Sequence, residues 1–528
     1  MTNYQFTGGT ICAPATIPGT GAISIIRVSG KEALAIADKV IDTKGVPIAE
    51  TEGYRLRYGT VFEADGSVLD NVIVSVFRAP HSYTGEDSVE ISCHASRFIV
   101  NKILELLVNA GARIAAPGEF TRRAFVNGKM DLAQAEAVAD VIASQSAASH
   151  RVAMNQLKGG FSSELKVLRE KLLTMTSLLE LELDFSEEDV EFASRKELGQ
   201  LVDDSLTHIG RLTASFSRGN AIKNGVPVAI VGATNTGKST LLNALLGEER
   251  AIVSDIAGTT RDTIEETLNI DGILFRFIDT AGIRETDETI EKIGIDRTFK
   301  KLGEAAVVLG MTDLSRGEAA VLEDADFILS KVNEMGGVKN DAAVNDGSET
   351  GGVSQHGHGA GQERRVVILV NKCDVAGSFY KDDNGTGDSS GNDLGKNMAE
   401  IGGNKNVNHN NNIVSLIENK YDNCKVIPIS AKTGKGLSTL TKALGEIGSE
   451  ITGSTDETLV TNVRHYEALV RTASALERVR AGLHITTLPP DLIAQDLREA
   501  LYHLGEIVGE ITTDETLGNI FRNFCIGK

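Results

Sequence analysis

Apolar residues along this chain recur with two periods, and the places where one period replaces the other outline its organisation. Short strand-like runs at 23–28 and 72–76 mix with turns and an amphipathic stretch at 98–108, so residues 1–120 read as an α+β domain. From Gly118 to Val226 the chain has no proline and the helical period dominates. Asp131 with Gln134 forms a capping-box start to an Ala-rich helix at 132–143, and Leu165, Leu168, Leu172 and Met175 mark one face of a longer helix. Apolar runs at 228–231, 273–278 and 366–370, with a further strand at 425–429, predict the parallel sheet of an α/β module at 221–453. Helical patterning returns at 461–481 and 492–508, separated by Pro489-Pro490. The economical reading is a helical domain in two parts, 121–220 and 454–528, interrupted by the α/β module. Two stretches inside that module, 336–362 and 376–412, are rich in Gly, Asn, Asp and Ser and read as surface insertions or disordered loops. His356-Gly357-His358 and the run Asn408-His409-Asn410-Asn411-Asn412 read as solvated linker.

The turns that follow the apolar strands carry the chemistry. Gly232-Ala233-Thr234-Asn235-Thr236-Gly237-Lys238-Ser239 sits between the strand at 228–231 and the helical run at 241–246, with Thr240 opening that run. This is the strand–loop–helix setting of a phosphate-binding loop. Its glycines let backbone N–H groups face phosphate oxygens, and the helix N-terminus adds partial positive charge. Lys238 would reach the β/γ-phosphates, and the Ser239 hydroxyl would ligate Mg²⁺. Gly258-Thr259-Thr260-Arg261 follows in a loop, with Thr260 the expected second protein ligand of Mg²⁺. Asp279-Thr280-Ala281-Gly282 ends the strand at 273–278; Asp279 can hold a metal-bound water and the Gly282 N–H can sense the γ-phosphate. Asn371-Lys372-Cys373-Asp374 follows the strand at 366–370, and Asp374 can accept two hydrogen bonds from the Watson–Crick edge of guanine, which adenine does not offer. Ser430-Ala431-Lys432 closes the base pocket. Any one of these signals is compatible with an ordinary turn; together, in this order, they read as a GTPase.

Ile283 stands directly after Ala281-Gly282, where Ras-type GTPases carry a water-orienting glutamine, and an isoleucine cannot orient water. Asn235 either offers its side-chain oxygen to a monovalent cation beside the phosphates or stabilises the loop; the sequence leaves both open.

Composition narrows the setting. The chain has 528 residues, too many for one core, and a formal net charge of −20, so RNA contact would need a local basic patch. Five cysteines, at 12, 93, 373, 424 and 525, show no metal-ligand spacing and suit a reducing compartment. The first 26 residues hold no Lys or Arg and no long apolar run, and no spanning segment is found, so a soluble cytoplasmic protein is expected.

The chain ends Asn523-Phe524-Cys525-Ile526-Gly527-Lys528, and with the asparagine-bearing phosphate loop and Ile283 it resembles the bacterial and organellar tRNA modification GTPase MnmE (TrmE) family. Further segments similar to that family are Gly85-Glu86-Asp87, Pro117-Gly118-Glu119-Phe120-Thr121, and the run from Lys129-Met130-Asp131 through Glu136-Ala137. The resemblance implies a multidomain fold: an N-terminal tetrahydrofolate-binding and dimerisation domain, a helical domain, and an inserted Ras-like P-loop GTPase domain. It implies a homodimer acting on tRNA with an FAD flavoprotein of MnmG type, in a heterotetramer, to place a carboxymethylaminomethyl or aminomethyl group on carbon 5 of the wobble uridine. Reduced folate, as 5-formyl- or methylene-tetrahydrofolate, would contact Arg27, Glu90, Lys129 and Lys528. Within Ser254-Asp255-Ile256-Ala257-Gly258-Thr259, the resemblance places K⁺ ligands at Ser254, Ile256 and Thr259, together with Asn235, and a water-orienting acid at Glu291. Cys525 is a candidate nucleophile by position alone, although a terminal cysteine in a reducing cell is more often inert.

Other classes compete. A ribosome-assembly or translational GTPase would share the nucleotide signals but usually adds a basic RNA-binding domain, which does not suit this acidic chain. A folate-dependent one-carbon enzyme with a regulatory GTPase attached would leave tRNA unchanged.

Overall fold

The computed structural model describes residues 8–184, 195–248, 266–278, 305–334, 364–374, 409–421, 424–453, 457–485, 489–522, 524 and 527. The chain forms two compact units, and the second interrupts the first in sequence: Met1–Ser144, His150–Phe216 and Thr458–Lys528 make one, Gln145–Ser149 and Ser217–Glu457 the other.

The first unit begins with β1 (Ile11–Pro14), β2 (Ile23–Ser29), α1 (Ala33–Val40), β3 (Ile41–Asp42), β4 (Arg55–Phe62), β5 (Val68–Phe77), β6 (Ser88–His94), α2 (Arg97–Asn109) and β7 (Arg113–Ile114). Its seven-stranded sheet has the order β3-β4-β5-β6-β2-β1-β7, and β1 and β7 are its one parallel pair. Alternation decides which face is covered: in β5, Val72, Val74 and Val76 are buried while Asn71 and Ile73 are exposed. The buried face packs on Ile36 of α1 and on Ile103 and Leu107 of α2.

Helices follow: α3 (Glu119–Val126), α4 (Leu132–Ala143), α5 (Ala147–Leu157), α6 (Gly160–Asp184) and α7 (Arg195–Ala214). The expected capping box at α4 is present, with Gln134 N–H donating to Asp131 Oδ1 at 2.8 Å and Asp131 N–H to Gln134 Oε1 at 3.0 Å. In α6, Leu165, Leu168, Leu172 and Met175 are all buried, the stripe that their spacing predicts.

The second unit holds α8 (Phe216–Asn224), β8 (Val226–Gly232), α9 (Lys238–Glu248), β9 (Glu266–Ile270), β10 (Ile273–Phe277), β11 (Val307–Asp313) and α10 (Glu318–Glu334). It continues with β12 (Arg365–Asn371), α11 (His409–Lys420), β13 (Lys425–Pro428) and α12 (Leu437–Thr452). The six-stranded order is β13-β12-β11-β8-β10-β9, parallel except for the β9–β10 hairpin. Residues of β8, β11 and β12 are buried on both faces, which is why β8 and β12 read as unbroken apolar runs. One expectation fails here. His409–Asn412 of the run that reads as linker open helix α11, because the apolar stripe downstream, with Ile417 fully buried and Val414 packed beside it, ties the segment to the core, while Asn408 lies outside the described residues.

The first unit resumes with α13 (Val463–Leu483), α14 (Pro490–Val508) and α15 (Asp514–Arg522). Proline at the first turn of α14 and the left-handed Gly509 beyond it are ordinary helix limits. Helix α13 packs against α7 and α14, and α14 against α6. Among the described residues no helix is long and apolar enough to cross a membrane.

Candidate functional site: a nucleotide cradle at the strand ends

Parallel strands β8, β11, β12 and β13 point the same way, so the segments that follow them gather at one edge of the sheet, the usual ligand edge of such folds. The loop after β8 turns at Gly232 and Gly237. A Cβ at Gly232 would come within 2.4 Å of the Met311 carbonyl oxygen, and one at Gly237 within 2.4 Å of Asn371 Nδ2, so both positions need glycine. Asn235 lies exposed at the crest with φ +62°, a left-handed conformation that asparagine tolerates. Lys238 Nζ donates to the carbonyls of Gly232 and Ala233 at 2.9 and 2.8 Å, and Thr236 Oγ1 donates to Ala233 O at 2.9 Å. Partial burial lowers the Lys238 pKa, and an anion bound at the loop would favour its charged form. Ser239 stands in the first turn of α9, at the helix N-terminus that the phosphates would meet, and exposed Thr240 follows it.

Asn371 ties this loop to the base side. Its Nδ2 donates to Thr236 O at 2.6 Å, and its Oδ1 accepts the Ala431 N–H at 3.0 Å. Ser430 Oγ donates to Asp374 Oδ1 at 2.7 Å, and that hydrogen bond is the first cause of a carboxyl held below its usual range. Lys432 follows Ala431 in an exposed turn and lowers the same carboxyl further. Lys372, in the left-handed region at φ +65°, donates from Nζ to Asp313 Oδ2 at 2.6 Å. Burial pushes the Cys373 thiol up to about 11, so it stays protonated and inert. The structure thus brings together Asn235 through Thr240, Asn371, Lys372, Asp374, Ser430, Ala431 and Lys432. Ser254–Thr260, Asp279–Gly282 and Glu291 lie outside the described residues.

A second constellation sits on the sheet of the first unit. Arg27 in β2 and Glu90 in β6 are register partners, and Nε and one terminal nitrogen of Arg27 donate to Glu90 Oε1 at 2.9 and 2.8 Å. The guanidinium lies 5.1 Å from the Tyr83 ring centroid and 5.6 Å from that of Phe120, and Tyr83 O–H shares a 2.8 Å hydrogen bond with the Thr121 hydroxyl. Exposed Lys129 donates to the Pro80 carbonyl at 3.0 Å. Lys528 and Cys525 lie outside the described residues, but Gly527 is packed so closely on β1 that a Cβ there would come within 2.0 Å of the Pro14 carbonyl oxygen.

Sequence reasoning missed Asp313, Tyr83 and Phe120. Asp313 had a signal, a carboxylate ending an otherwise apolar run; Phe120 lay in a family-like segment that gave it no role, and Tyr83 had no signal, because their partner Arg27 is remote in sequence.

A phosphate-binding loop and a base-reading set on one sheet edge define a P-loop protein of the guanine-nucleotide class. A family model described as the MnmE helical domain matches residues 132–525, and one described as the GTP-binding protein TrmE N-terminus matches residues 10–129. The tRNA modification GTPase MnmE of Parabacteroides distasonis is 47% identical over 522 residues, covering 98% of this chain and 100% of that protein. Its namesake in Flavobacterium johnsoniae is 46% identical over 520 residues, covering 98% and 99%. The chain belongs to the MnmE family. Among solved structures, the FeoB G-domain of Methanococcus jannaschii is 21% identical, covers 42% of this chain and 98% of that one, and has a TM-score of 0.24.

Proposed function

We propose that this protein is a GTPase of tRNA modification, acting in the cytoplasm as a homodimer with an MnmG-type flavoprotein to build a carboxymethylaminomethyl or aminomethyl group on carbon 5 of the wobble uridine. The observation that carries the nucleotide reading is Asn371, whose amide bonds the phosphate loop on one side and the Ser430–Ala431 turn on the other. One side chain thereby couples the phosphate and base ends of a single site. Asp374, oriented by Ser430, presents carboxylate oxygens to the donors on guanine.

The loop suits a Mg²⁺-nucleotide: its lysine is turned onto the loop's own carbonyls and a helix N-terminus stands behind it. Ser239 and Thr260 would hold Mg²⁺, whose charge would neutralise developing charge on the phosphates. Asn235, with Ser254, Ile256 and Thr259, would hold K⁺. The exposed left-handed Asn235 carries its amide on the crest of the loop, where an oxygen can meet a weakly hydrated ion. Glu291 would orient the attacking water through a bridging water. On the first unit, Arg27 and Glu90 offer a paired cation and carboxylate flanked by two aromatic rings, chemistry that suits a reduced pterin, and Lys129 and Lys528 suit the folate carboxylates.

The test is GTP turnover by the purified full chain in KCl and in NaCl at equal ionic strength, with wobble-uridine analysis of tRNA from cells lacking the protein. Turnover at least 10-fold faster in K⁺, of the order an added transition-state charge supplies, and loss of the modified uridine are expected. Equal slow rates in both salts would remove the cation mechanism, and unchanged tRNA would remove the modification role.

A further inference from the structure

The nucleotide motifs account for Lys372 but say nothing of what holds it. Its ammonium does not hang in solvent: Lys372 Nζ lies 2.6 Å from Asp313 Oδ2, and the Asp313 side chain is only 7% exposed. Asp313 ends β11 in register with Asn371, so adjacent parallel strands deliver the carboxylate and the lysine to the same place. The other carboxylate oxygen is occupied too. Oδ1 accepts the Ser315 N–H at 2.9 Å and the Ser315 hydroxyl at 2.6 Å, an Asx turn that fixes the side chain. Burial would raise this carboxyl, yet the hydrogen bonds from Lys372 and Ser315 keep it below its usual range, so it stays a charged anchor.

We propose that Asp313 is a positioning residue for guanine-nucleotide affinity, acting through Lys372. A lysine side chain is long and rotamer-rich, and ordering it on ligand binding costs entropy. Here the order exists beforehand: the Asx turn holds the carboxylate, and the carboxylate holds the ammonium of the residue that follows Asn371, whose own amide grips the phosphate loop. Both carboxylate oxygens of Asp313 are engaged, by Ser315 and by Lys372, so it acts through the lysine. Its effect therefore falls on binding rather than on the chemical step.

The two oxygens can be separated experimentally. Asp313→Asn keeps an acceptor for Ser315 but turns a donor toward the ammonium, releasing Lys372. Ser315→Ala removes the hydroxyl donor to Oδ1, keeps the backbone N–H of the Asx turn, and leaves Oδ2 for Lys372. Full-chain variants are titrated with a fluorescent GDP, and GTP turnover is measured alongside. Asp313→Asn is expected to weaken GDP by about 10-fold, the scale of one charge-assisted hydrogen bond. It should raise the KM for GTP by a similar factor and leave kcat within about twofold. Ser315→Ala should stay within about twofold, and Asp313→Asn should add less than about twofold in a Lys372→Ala background. Unchanged GDP affinity in Asp313→Asn would overturn the proposal. So would an equal loss in the Lys372→Ala background, or a fall in kcat at unchanged KM. Should Asp313→Asn fail to fold by circular dichroism, Asp313→Glu, which keeps the charge but displaces it, is held to the same criteria.

Discussion

At the scale of single residues, the proposed base discrimination rests on which atoms of residue 374 accept and which donate. Asp374 has only acceptors, one of them already fixed by Ser430, and guanine offers two donors. In Asp374→Asn the Ser430 hydroxyl still finds an acceptor oxygen, so the turn is kept, but a donor now faces the donors of guanine. The variant should lose GTP by about 100-fold or more, because a site built for one hydrogen-bond pattern rejects its complement strongly. Xanthosine triphosphate, which carries a carbonyl where guanine has its amino group, should gain. Steady-state KM values for the two nucleotides check this, and a parallel loss of both would show a pocket collapse instead. The same contrast explains what was legible in the sequence. Gly237, Lys238, Asn371 and Asp374 announce themselves because each lies at a fixed offset from an apolar strand. Asp313 bonds to Lys372 and Tyr83 lies against Arg27, and such partnerships exist only after strands have been placed side by side.

At the scale of elements, the helices of the first unit are pinned by a buried ionic cluster. Glu136 on α4 accepts from Arg464 Nε at 2.9 Å and lies 2.7 Å from His465 Nε2, both on α13, and Arg464 also donates to the Glu506 and Ile507 carbonyls at the end of α14. His465 is fully buried and stacks on Phe161 of α6 at 5.2 Å. Burial alone would raise the Glu136 carboxyl, yet His465 and Arg464 hold it down at about 2 from its usual 4.5. A depressed carboxyl contributes stability that is complete above the unfolded value and is lost as pH falls through the folded one. The contribution should therefore fade between about pH 4.5 and about pH 2. Glu136→Gln should cost about 3 kcal/mol at neutral pH, the scale for breaking a buried pair, and should lose less on acidification across that window. Urea unfolding followed by helical circular dichroism at several pH values checks both; identical pH slopes for the two proteins would remove Glu136 as the cause. The helices themselves were legible from periodicity and from the Asp131–Gln134 cap. The opening of α11 was not, because an asparagine run carries no period and is ordered by Ile417 further along the chain.

At the scale of the whole molecule, the interleaving of the two units could be read from the return of the helical period after residue 453, since a pattern that stops and resumes implies an inserted module. What could not be read is where the end of the chain goes. Gly118 approaches the last helix so closely that a Cβ would meet the Phe521 carbonyl oxygen at 2.7 Å, and Gly527, at φ +100°, is pressed against Pro14. Pro14 pairs with Ile26, the neighbour of Arg27, so Gly527 is seated one strand from the proposed folate contacts. Gly527→Val adds both a side chain where none fits and a backbone preference against the left-handed region. The tail should leave its seat, carrying Lys528 away, and affinity for 5-formyl-tetrahydrofolate should fall by about 10-fold, the scale of one lost charge-assisted contact. The KM for GTP should stay within about twofold, since Gly527 and the nucleotide cradle belong to different units. Calorimetric titration of the full chain, with Arg27→Ala as the variant that removes a direct contact, gives both readings. Folate affinity unchanged in Gly527→Val but lost in Arg27→Ala would show that the site works without the tail, and Lys528 would leave the list of ligands.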